Sequence, residues 1–153
     1  MKTVRDLVSN KRKEYFKMLR DSGKTYNLKE FVEHLGIKII EKDEIFEPYA
    51  HITKVNDKVS IVVGCPETKM RNCLILNRLG LIGQSYFDKS LLEHKSFTNR
   101  VYSAVENEDQ LRYTMLGMVM ACAPASATDT ADAFAARYGI YPFYADMYMW
   151  FNR

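Results

Sequence analysis

The stretch Arg71-Asn72-Cys73-Leu74-Ile75-Leu76-Asn77-Arg78-Leu79-Gly80-Leu81-Ile82 reads as a core-facing helix, and a chain with this segment at its centre must build a core around it. Pro66-Glu67-Thr68 caps it, and it ends near Gly83. A second strongly apolar helix is expected from Glu106 to Ala123, broken by Pro124. Upstream, the pattern predicts a helix over 2–21 that stops at Asp21-Ser22-Gly23, then a helix from Leu28 to Leu35 capped by Asn27 and ended by Gly36. Ile37 to Ile40, Ala50 to Val55 and Lys58 to Val63 read as strands, the last two joined by a tight turn at Asn56-Asp57.

Residues 84–105 are the least patterned part, read as loop with a short helix around Lys89 to His94. Thr128 or Asp129 can cap a helix through Tyr138, which Gly139 terminates, and Pro142 opens a last helix to about Phe151. The expected architecture is one α+β domain over residues 1–153, helix-dominated, with a small three-stranded sheet. It divides into a basic N-terminal helix (1–26), a core (27–123) and an aromatic helical tail (124–153).

With 47% apolar and 27% charged residues the composition is that of a globular protein, not a disordered one. No apolar run reaches the roughly 18 residues of a membrane span, and the N-terminus does not resemble a signal peptide, so the expectation is a cytoplasmic protein with no membrane association. Cys65, Cys73 and Cys122 lack Cys-x-x-Cys spacing and read as reduced, buried thiols.

Residues 1–24 hold eight basic against three acidic groups, so they carry +5 of the net +3 and the rest of the chain carries −2. Lys11, Arg12, Lys13 and Lys17 form the candidate nucleic-acid patch, although an apolar stripe of Val4, Leu7, Val8, Tyr15 and Leu19 makes these cations the solvated back of a packed helix. Nucleic acid is therefore a disfavoured partner.

Two further chemistries can be read. His51-Ile52-Thr53 and His94-Lys95-Ser96 each match the His-x-Thr/Ser element of two-histidine phosphoesterases, in which paired imidazoles serve as acid and base. Residues 132–153 hold eight of the 19 aromatics, but Arg137 and Arg153 are balanced there by Asp132 and Asp146, which makes a poor phosphate binder. Core packing and a protein-binding or self-association surface remain, with Tyr144, Tyr148 and Trp150 as candidate anchors.

The frame Asn77-Arg78-Leu79-Gly80-Leu81 resembles the His-Glu-x-Gly-His form of the zinc-protease helix. Two histidines four apart share one helix face and grip a metal ion, and the intervening glutamate is the general base. From about Leu28 to Phe151 the order of elements resembles the ImmA/IrrE family of zinc metallopeptidase-like proteins. Leu28 to Ile37 is similar to the family's opening helix and strand, and Ala50 to Val63 to its hairpin. Glu108, followed by Leu111, Met115, Met118, Val119 and Met120, fits the helix carrying the third ligand, although Ala121 stands where that pattern has proline. The resemblance implies a zincin-like fold and a repressor, host or phage protein as partner.

Asn77, Arg78 and Leu81 cannot hold zinc or activate water, so the implied protein is a pseudoenzyme without metal or cofactor that acts by binding another protein. Asn77 or Arg78 is expected to bond Glu108 in place of the metal link. The alternatives are a structural or assembly subunit, for example of a virion, forming homo-oligomers, and a phosphodiesterase using His51 and His94.

Overall fold

The helix starts and stops follow from local backbone chemistry, and in the computed structural model of the chain, which describes residues 4–43, 48–55, 58–87, 98–99 and 108–151, nearly all fall within two residues of expectation. Helix α1 (Val4–Ser22) ends where Gly23 adopts φ +70°, a conformation open to glycine. Asn27 caps α2 (Leu28–His34), its side-chain oxygen accepting the Glu30 N–H at 3.0 Å. Strands β1 (Lys38–Lys42), β2 (Tyr49–Val55) and β3 (Lys58–Gly64) follow, then the long helix α3 (Thr68–Phe87). The Glu67 carboxylate caps α3 by accepting the N–H groups of Lys69 and Met70, each at 3.0 Å.

A two-residue strand β4 (Thr98–Asn99) precedes α4 (Glu108–Ala121), α5 (Ala131–Tyr138) and α6 (Pro142–Phe151). The cap of α5 is Thr130, whose hydroxyl accepts from Ala133 N–H at 3.1 Å, and not Thr128 or Asp129. Asp129 instead accepts from Ser126 N–H and from the Arg137 guanidinium. The expected turn at Asn56-Asp57 and the short helix around Lys89 to His94 lie outside the described residues.

The fold is mixed α+β and helix-dominated, with a small sheet in the order β1-β3-β2-β4. β1 runs parallel to β3 (Ile39 opposite Ile61), β2 is antiparallel to β3 (Ala50 opposite Val63), and β4 adds two residues to the edge of β2. As an inner strand, β3 is buried from Ile61 to Gly64 without alternation, because both of its faces are covered.

Helix α3 is buried at every position from Cys73 to Leu81, which explains its apolar run. It packs on β2 and β3 and, most extensively, on α4. Tyr15 of α1, Phe31 of α2, Ile61 of β3, Leu74 and Leu79 of α3, Met118 of α4, Phe134 of α5 and Tyr148 of α6 belong to one continuous core. Each large apolar side chain so buried contributes about 1.5–3 kcal/mol. No helix among the described residues is long and apolar enough to cross a membrane.

Candidate functional site

Asn77 and Arg78 stand in the middle of α3, and both are fully buried. A guanidinium keeps its charge at any accessible pH, so its burial demands acceptors. The backbone carbonyl of Ala50 in β2 provides one, accepting from Arg78 Nε at 3.2 Å and from Nη2 at 2.8 Å. Arg78 Nη1 donates to the side-chain oxygen of Asn77. Asn77 in turn donates through Nδ2 to the Thr114 hydroxyl of α4 at 3.3 Å. A polar chain thus joins strand β2, helix α3 and helix α4 through the interior.

His51 adjoins Ala50, with its ring stacked on Tyr49 at 6.0 Å between centroids. Burial first, and the nearby Arg78 cation second, hold its pKa below the usual 6.5, so the imidazole stays neutral at pH 7. His94, its proposed catalytic partner, lies outside the described residues.

Gly80 has a packing role that the motif frame does not suggest. A Cβ there would meet the Tyr113 carbonyl oxygen at 1.8 Å, and one at Gly117 would meet the Leu76 carbonyl oxygen at 1.9 Å. Leu76 and Gly80 of α3 therefore lie directly against Gly117 and Tyr113 of α4, backbone to backbone, with the two helices antiparallel. Leu81 is buried beside them. Glu108 opens α4, and its side chain lies outside what the structure describes, as does the expected link to Asn77 or Arg78.

The groups at the three frame positions do not fit zinc. Asn77 and Arg78 are engaged with Thr114 and Ala50, and Leu81 has no donor atom. Among the described residues no three His, Cys, Asp or Glu side chains are placed to hold a metal ion. The three cysteines are free and buried, with burial pushing the Cys73 thiol up to about 12 and Cys122 higher still, so neither supplies a thiolate at neutral pH.

The candidate anchors of the tail separate. Tyr148 is fully buried, its ring 5.3 Å from that of Phe134, and it is core rather than a contact for partners. Tyr144 is half-buried and packs against the core. Trp150 is 76% exposed and Phe143 47%. With half-buried Met147 they occupy positions i, i+4 and i+7 of α6, an outward apolar stripe.

The N-terminal basic patch is also divided. Arg12 is half-buried and donates to the Val119 carbonyl at 2.9 Å, fastening α1 to α4. Lys17 pairs with Asp21 at 3.2 Å and Lys11 with Glu14 at 3.7 Å, while Lys13 faces solvent. Sequence reasoning missed the Ala50 carbonyl, Thr114 and Gly117. Only Gly117, a glycine inside a strongly apolar helix, leaves a sequence signal of close packing.

Comparison with family models, with curated proteins and with solved structures finds no match for this chain. The likeness to ImmA/IrrE proteins therefore rests on the residues of this sequence alone.

Proposed function

We propose that the protein is a non-catalytic, zincin-like binding module of the ImmA/IrrE type that acts by occupying a protein partner, with a regulatory role toward a repressor or another host or phage factor. The observation that carries the reading is the outward stripe of α6, where Trp150 is 76% and Phe143 47% exposed. Tryptophan and phenylalanine at a surface favour an interface centre, and a stripe without cations favours protein over nucleic acid. The non-catalytic half of the proposal draws on Arg78, a buried cation fastened to Ala50 where a zinc peptidase needs its carboxylate.

The test compares affinity purification of the tagged full chain with that of Trp150→Ala. One protein recovered near one-to-one with the wild type, and lost from a variant with an unchanged melting transition, supports the proposal. Retention of that protein by the variant refutes the surface. If no protein co-purifies, the second reading takes over: the same stripe pairs with a copy of itself in an assembly subunit, visible as concentration-dependent oligomers.

A further inference from the structure

Between α2, α3 and α5 lies a cavity of about 280 Å³. Three cations from three elements line it, Lys29, Arg71 and Arg137, and Glu41 of β1 is the one carboxylate among the lining residues. Glu41 is shared between two of them. Its carboxylate stands 3.7 Å from Lys29 Nζ and 3.9 Å from Arg71 Nε, beyond hydrogen-bond distance in both cases. Arg71 is held by the Thr68 hydroxyl at 3.3 Å and the Cys65 carbonyl at 3.5 Å. Arg137 is oriented by Asp129 at 2.9 Å.

The wall is built in advance. Tyr26 and Tyr138 meet edge to face at 4.7 Å, and their hydroxyls are engaged with the Ala121 carbonyl and the Ala123 N–H. The three cations are partly exposed, so an anion can reach them without first dehydrating a buried charge.

We propose that this cavity is an anion site that takes a phosphate group, free or carried on a small organic molecule, with Glu41 as the internal counter-ion that the ligand replaces. Guanidinium groups hydrogen-bond phosphate oxygens, and lysine adds a point charge. The volume lies at the lower bound of ordinary small-molecule pockets, about 300 Å³, which suits a sugar phosphate and excludes a dinucleotide. The site is independent of the partner-binding reading and stands or falls alone.

Isothermal titration of the full chain with inorganic phosphate, glucose 6-phosphate and, as the uncharged control, glucose tests it. Saturable one-to-one binding of the phosphate-bearing probes and none of glucose is expected. Tighter binding of the sugar phosphate identifies the carried group as the ligand, and equal binding identifies the free anion. Glu41→Gln should tighten binding roughly tenfold and Lys29→Gln weaken it roughly tenfold, the scale of one charge-assisted contact. Glu33→Gln makes the same change in net charge away from the cavity and should leave affinity unaltered. No saturation by about 10 mM ligand, or equal tightening by Glu33→Gln and Glu41→Gln, overturns the proposal. Unchanged affinity in Lys29→Gln also overturns it, and if that variant does not fold, Glu41→Gln decides.

Discussion

Replacing Gly80 with alanine sets two effects of opposite sign against each other. In a helix interior where nothing crowds the site, glycine to alanine stabilises by about 1 kcal/mol. At Gly80 the new Cβ would lie 1.8 Å from the Tyr113 carbonyl oxygen and 2.7 Å from its carbon. Carbon–oxygen contacts close at about 3.3 Å, so the two helices must part by roughly 1.5 Å. Overpacking by one methyl group costs about 1–3 kcal/mol when side chains can yield, and more when the obstacle is backbone. Parting α3 from α4 also loosens the dispersion contacts of Leu76, Leu79 and Met118, all buried within this packing. The loss comes to about 4 kcal/mol, or about 3 after the helix-propensity gain. For a chain of this length that lowers Tm by about 6–12 °C. Urea unfolding followed by far-UV circular dichroism should show a lower midpoint at unchanged slope. Gly117→Ala, whose Cβ would sit 1.9 Å from the Leu76 carbonyl oxygen, should act in the same direction. The double variant should lose less than the sum, because the first substitution has already separated the helices. A Gly80→Ala protein as stable as the parent, or more stable, refutes the reasoning.

Three other outcomes are expected. Arg78→Met strips the Ala50 carbonyl of both its Arg78 donors and should destabilise by about 1–3 kcal/mol in the same urea assay; an unchanged midpoint would show that the buried hydrogen bonds contribute nothing net. The Tyr141 hydroxyl donates to Glu67 and, as the largest cause, holds that carboxyl below 4.5. A depressed carboxylate pKa stabilises the fold above pH 4.5 and loses that share as pH falls through the lowered value, so Tyr141→Phe should be less stable than wild type near about pH 7 and converge with it on acidification; a gap constant down to about pH 3 would rule this out. The three buried thiols should resist a thiol reagent in the native protein at about pH 8 and react together on unfolding, and rapid labelling of the native fold would contradict the buried geometry.

Much of the fold was legible in the sequence because helix starts and stops are settled by neighbours within a few residues. Asn27, Gly36, Gly139 and Pro142 punctuate the chain where the pattern places them, and the three main strands follow their β-branched runs. The apolar run around Leu76 likewise announced a buried helix, since nothing but surrounding protein stabilises such a surface. What the buried polar groups meet was not legible. Arg78 finds its carbonyl 28 residues away in β2, and Arg12 finds its own 107 residues away in α4. Tyr148 and Trp150 have similar interface propensity and lie two positions apart, which on a helix turns them to nearly opposite sides. Sequence alone determined an aromatic helix there and left core packing and a binding surface open for both residues. Only the docking of α6 on α5 decided that Tyr148 goes inward against Phe134 and Trp150 stays at the surface, because side-chain orientation is fixed by the neighbour that a helix packs against and not by the helix itself.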